Sequence, residues 1–165
     1  MASHDGDRVV ALSLQLSRAH QELRRQVGRI RAGIGQRRPD GDTLRTHCLA
    51  FCAALTAHHQ GEDEGMFAQL VRERPQLAGT VAKLVEDHEM IAGILTRVRE
   101  LADRAAESAE SAEPPGEGLE AVGRELDGLT AIMESHFAYE ERTISEALDG
   151  ATPDSSWPDK VFRFG

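Results

Sequence analysis

Four stretches of this chain carry apolar residues at spacings of three and four, and each stripe has a histidine near its middle. That spacing lines up side chains on one face of an α-helix. A chain patterned this way must fold as helices that each bury one side. The first stripe, from about Arg8 to Gly35, holds Leu16, His20, Leu23, Val27, Ile30 and Ile34, and Gly33, Gly35 and Pro39 close it. The second, from Asp42 to about Arg72, holds Leu44, Cys48, Phe51, Leu55, His58, Glu62, Met66 and Leu70. Asp42 or Thr43 is placed to cap it, and Pro75 to stop it. The third, from about Gln76 to Ala105, holds Val81, Leu84, His88, Ile91, Leu95 and Val98. The fourth, Leu119 to Leu148, holds Val122, Leu126, Leu129, Met133, His136, Glu140 and Ile144.

Residues 106–118 are low in complexity, lack a stripe and contain Pro114-Pro115, so they read as the longest linker. The tail after Gly150, with Trp157, Phe162 and Phe164, is too short for another long helix. Its aromatics are expected to pack on the bundle or on a partner. The pattern predicts an all-α, up-down-up-down four-helix bundle over residues 1–150, followed by a C-terminal tail over 151–165.

Composition agrees with helices. Of the 165 residues 40% are hydrophobic but only 4% aromatic, so Leu, Val, Ile and Ala must fill the interior and strand formers are sparse. One domain suits this length. A formal charge of −9 argues against nucleic acid as a partner, because a polyanion needs a basic face. The basic stretch from Arg24 to Arg38 alternates with apolar residues and reads as the solvated side of the first helix. Cys48 and Cys52 lie four apart on one helix, where a disulfide is awkward, and read as buried thiols. Met1 to Asp7 lacks the positive start of a signal peptide, and no run approaches the ~18 apolar residues of a membrane span. A soluble, cytoplasmic protein is expected.

The second half echoes the first. Ala19-His20 parallels Asp87-His88, and His58-His59-Gln60-Gly61-Glu62-Asp63 parallels His136-Phe137-Ala138-Tyr139-Glu140-Glu141. Each half is a helix pair that supplies a lone His and then His-x-x-x-Glu. Residues four apart differ by about 40° around a helix, so His58 and Glu62 share a face, as do His136 and Glu140. With His20 and His88 they offer four imidazoles and two carboxylates to one point in the core. Imidazole with carboxylate suits Fe, Mn or Zn, and no thiolate pair accompanies them. A carboxylate from each half can bridge two ions, which favours a dinuclear centre. Buried carboxylates without a cation are costly.

Ferritin-like bundles use Glu-x-x-His; here the His comes first. The order His, His-x-x-x-Glu, His, His-x-x-x-Glu, with Met66-Phe67 and His136-Phe137-x-x-Glu140-Glu141, resembles the hemerythrin and HHE-domain family over about residues 14–148. The resemblance implies a non-haem centre of two iron ions, with His20 and His58 on one, His88 and His136 on the other, and Glu62 and Glu140 bridging. It departs at Ala92, where oxygen-carrying hemerythrins resembling this chain have a second His four after the first on the third helix. Tyr139, Glu141, Asp63 and His59 are the nearby candidates for vacated positions. Tyr139 reads equally as an extra donor or as an edge packer. His59, about 100° from His58, reads as flanking; His47 and His4 carry no signal.

The resemblance implies a protein that reacts with or senses O₂, peroxide or NO. Peroxide or NO detoxification, or another oxidoreductase activity such as an oxygenase, is set against a non-enzymatic iron- or oxygen-binding sensor or interaction module. Iron storage is the weaker third class. The expected partner is a small diatomic or peroxide ligand.

Overall fold

A computed structural model of the protein describes residues 10–36, 41–110, 116–154 and 156–164. Pro39, Pro114-Pro115, His4 and the Met1–Asp7 stretch lie outside the described residues. The helices are α1 (Leu12–Gln36), α2 (Gly41–Gly61), α3 (Phe67–Glu73), α4 (Ala78–Glu110), α5 (Gly116–Asp149) and α6 (Trp157–Phe162). A π-helical turn, Glu62–Met66, joins α2 to α3, and a 3₁₀ turn, Pro75–Leu77, leads into α4. No helix among the described residues is long and apolar enough to cross a membrane.

Pairs across the seams give the helix directions. Along α1 and α5, Ser13 Oγ donates to Asp149 at 2.8 Å, Arg24 Nε to Glu134 at 2.7 Å and Arg31 Nε to Asp127 at 2.8 Å, numbers rising on one helix as they fall on the other. Between α4 and α5 the pairs are Asp87 with His136 and Arg97 with Glu125, again antiparallel. Cys52 lies against Leu95 across α2 and α4. The four long helices thus alternate up and down around a square. Of the α1 arginines that read as merely solvated, Arg24 and Arg31 pair with acids of α5. Exposed pairs of this kind contribute little stability, ~0–1 kcal/mol each, and serve mainly to hold register.

Several helix limits differ from the sequence reading: α1 runs through Gly33 and Gly35 to Gln36, and α5 begins at Gly116 rather than Leu119. Helix α2 starts at Gly41, so Asp42 lies inside the first turn, where it pairs with Arg45 at 2.8 Å. Helix α4 continues to Glu110, into the segment read as linker, because Ala and Glu are strong helix formers. Ala105 and Ala106 are buried there, and Gly118 of α5 lies against Ala105. The π turn was not expected from the stripe. The amide of Phe67 donates to the carbonyl of Glu62, five residues back, which widens the helix at the middle of the bundle.

Cys48 and Cys52 are free and buried in the core, and burial pushes their thiols up to about 12 and about 11, so both stay protonated at neutral pH.

The tail folds back on the bundle. Trp157 and Val161 are buried among Met66, Phe67, Leu70 and Leu148. Gln69 is the anchor: its Nε2 donates to the Thr152 carbonyl at 2.6 Å, and its Oε1 accepts from the Asp154 amide at 3.2 Å and Trp157 Nε1 at 3.0 Å. Helix α6 sits over the π turn because Gly61 and Gly65 present no side chain to it. A Cβ on Gly61 would lie 2.8 Å from Lys160 Cβ, and one on Gly65 would run into Trp157. Gly65→Ala should therefore dislodge α6 and cost about 1–3 kcal/mol, as overpacking does. Trp157 is the only tryptophan, so its emission should shift to the red as the indole becomes wet. Unchanged emission in that variant would mean the tail is seated elsewhere.

Candidate metal centre

The apolar interior is divided into two clusters. One holds Leu23, Val27, Phe51, Leu55, Ile91, Leu95, Leu126 and Met133; the other holds Leu16, Met66, Phe67, Leu84, Ile144 and Leu148. Each stripe crosses from one to the other, and the crossing residues are His20, His58 with Glu62, His88, and His136 with Glu140. All six are buried. They form a polar layer across the middle of the bundle, contributed by all four long helices and the π turn.

The outer nitrogen of each of these histidines has a partner. His20 Nδ1 lies 3.3 Å from Glu141 Oε2, His58 Nδ1 2.7 Å from the Val161 carbonyl, His88 Nδ1 2.8 Å from Asp63 Oδ1 and His136 Nδ1 3.1 Å from Asp87 Oδ2. A carbonyl or an ionised carboxylate only accepts, so Nδ1 donates in every case, and in the neutral ring Nε2 carries its lone pair inward. The Nε2 atoms of His20 and His58 are buried without partners, as are all four oxygens of Glu62 and Glu140. His88 Nε2 and His136 Nε2 face each other at 3.1 Å. Glu62 Oε1 lies 3.4 Å from His58 Nε2 and 3.3 Å from His88 Nε2, while Glu140 Oε2 lies 3.3 Å from His136 Nε2 and 3.9 Å from His20 Nε2. Each acid therefore touches one histidine from each half of the chain.

Acceptors facing acceptors in a dry core are unfavourable. A single unmet buried polar group costs ~1–3 kcal/mol, and here a whole set is unmet. A cation is the group that satisfies inward lone pairs and carboxylates together, and the outer acceptors are the partners that hold metal-binding imidazoles in place. The donor set fits metal. In its absence the acids share the strain of proximity. Burial, and then the neighbouring Glu140, holds the Glu62 carboxyl well above the usual range. Burial works the same way on Glu140, but Glu62 and His136 outweigh it and keep Glu140 low. Burial, then His20, pushes His58 down to about 3, so it is a neutral donor.

The other candidates fall into place around this layer. Glu141 and Asp63 stand outside it, as acceptors for His20 and His88. Tyr139 is half-buried at the edge of the second cluster, with the Arg142 guanidinium 5.6 Å from its ring centre. His47 is exposed. His59 departs from the flanking position expected of it. It is 6% exposed, its ring stacks on His88 with centres 3.7 Å apart, and its Nε2 is buried without a partner. A position 100° off the His58 stripe is still interior here because α4 packs closely on that flank of α2.

The hemerythrin HHE cation-binding domain matches residues 13–148. The chain belongs to the hemerythrin family. No curated protein and no solved structure matches it. The hemerythrin match spans α1 to α5, the helices that supply the polar layer, and stops before α6. It supports a metal-binding all-α bundle. Three features of this hemerythrin-type site were not legible in the sequence. Val161, as acceptor for His58, comes from a tail whose only sequence signal was its aromatics. Asp87, as acceptor for His136, adjoins His88 in sequence yet serves the neighbouring helix. The third is the interior position of His59, for which the only hint was the doublet His58-His59.

Proposed function

We propose that this chain is a non-haem di-iron protein that reacts with or senses O₂, peroxide or NO, with consumption of peroxide or NO the favoured activity. The observation that carries the reading is the layer of unpartnered Nε2 and carboxylate atoms, each histidine fixed from outside through Nδ1. Donor atoms of His20, His58 and Glu62 lie within 4.8 Å of one another, as do those of His59, Glu62, His88 and His136. Two such sets sharing Glu62 support two ions rather than one. Imidazole and carboxylate suit iron, and the two thiols of the chain lie in the core, protonated.

Iron held here would supply electrons and coordination positions for a small ligand. The chain supplies the rest. Phe137 stacks on His20 at 3.8 Å and 7°, and the Phe67 ring lies 5.7 Å from that of His88, so apolar rings flank the layer. Glu62 and Glu140 offset part of the cationic charge, and Asp63, Asp87, Glu141 and Val161 keep the rings from turning.

A second reading has one observation in its favour. The His58 ring is tied to the Val161 carbonyl, so a change at His58 reaches α6 directly. In that case the chain is a sensor whose tail reports the state of the metal. Anaerobic loading with ferrous iron, followed by metal analysis and absorption spectroscopy, tests the core of the proposal. Two irons per chain are expected, with spectral change on adding peroxide or NO. Multiple turnovers identify the enzyme; one stoichiometric change with altered Trp157 emission identifies the sensor. A chain that takes up no iron, or one ion only, overturns the proposal.

A further inference from the structure

His59 is the one buried histidine of the layer that no duplicated motif explains. Its equivalent in the second half is Phe137, which has no donor atom. A histidine used only to fill space would turn its nitrogens toward water or toward a partner. His59 instead lies against His88 and His136, with ring centres 3.7 and 5.4 Å away, and keeps Nε2 buried and unbonded. To share an ion with His88 its ring turns out of the present stack, since each lone pair lies in its own ring plane. One donor atom each from His59, Glu62, His88 and His136 lie within 4.8 Å of one another, the spread of atoms that share a cation. Four residues after His88, Ala92 is exposed and lines a cleft of about 200 Å³ beside His59. Helix α4 thus offers no second imidazole there, and α2 has one facing the same donors.

We propose that His59 is a fifth imidazole ligand, joining His88 and His136 on one ion, while the other ion has only His20 and His58. The inference rests on the two-ion reading above. It makes the centre unequal: three imidazoles on one side, two on the other, with Glu62 and Glu140 common to both.

X-ray absorption on the fully loaded wild-type protein counts the imidazoles directly, whatever the fate of any variant. Five imidazoles over two ions are expected, and four overturn the inference. Mössbauer spectra should resolve two distinct iron signals. His59→Phe keeps a flat ring against His88 but removes the donor. In that variant one ion should bind about a hundredfold more weakly or worse, beyond the lower part of the 10–100-fold range seen when only an outer partner is lost. In His59→Ala, added free imidazole should restore the second iron signal. If both variants keep wild-type affinity and imidazole count, the inference fails while the two-ion reading stands. A wild-type chain that loads no iron pair instead removes the two-ion reading itself.

Discussion

Replacing Glu140 with Gln should abolish loading of the second metal ion, whereas Glu141→Gln should keep both ions at saturating metal. The two acids are neighbours with opposite surroundings. Both oxygens of Glu140 are buried and unbonded, and one lies 3.3 Å from His136 Nε2. Glu141 is 26% exposed and spends one oxygen on the outer nitrogen of His20, with Arg24 3.9 Å away. An amide at 140 cannot contribute negative charge to two cations and adds an NH₂ where only acceptors fit. An amide at 141 still accepts from His20 through its oxygen, so affinity there should fall by about tenfold, the lower end for an outer partner. Metal analysis after dialysis, with a titration for each variant, decides it. Equal metal content in wild type and Glu140→Gln would place the bridging carboxylate elsewhere.

Removing the metal should lower the unfolding midpoint by about 10–20 °C. Ligand linkage gives about 2.7 kcal/mol per ion when free metal is a hundredfold above Kd, hence about 5 kcal/mol for two. For a domain of this size each kcal/mol moves the midpoint by about 2–4 °C. The apo layer partly compensates, since Glu62 holds a proton, His58 stays neutral, and Glu140 and Asp87 outweigh burial to raise His136 toward its charged form, but His20 Nε2 and His58 Nε2 remain unbonded. Calorimetry on chelated and reloaded protein at one pH measures the difference. An unchanged midpoint would mean that metal is not bound in the core.

The helices and the inner face of the site could be read from spacing alone. A period near 3.6 is a property of one segment, and the step from His58 to Glu62, or from His136 to Glu140, needs no knowledge of any other helix. The duplication then supplied the pairing of the halves. The failures concern relations between segments. Whether His59 is interior depends on how closely α4 lies against α2, and its own neighbours in sequence carry no trace of that. Asp87 and Val161 become acceptors only once α5 and α6 are docked. The π turn arises where α6 rests on Gly61 and Gly65, two glycines that on a helix stripe look like weakness rather than contact. The end of α4 was misplaced for a simpler reason. The Ala-Glu-Ser run has helix-forming residues but no stripe, and burial of Ala105 against Gly118 of α5 extends the helix.

The hydrogen bond from His58 to the Val161 carbonyl spans 103 residues of chain. During synthesis, α1 and α2 emerge from the ribosome long before residue 161 exists. Through that interval the Val161 carbonyl is not there to hold the His58 ring. The residues of the layer are made in the order His20, His58, Glu62, His88, His136 and Glu140, and the outer hold on His58 comes last. Orientation of the first-made half therefore waits on the last-made helix, which ties a finished metal site to a chain translated past α6.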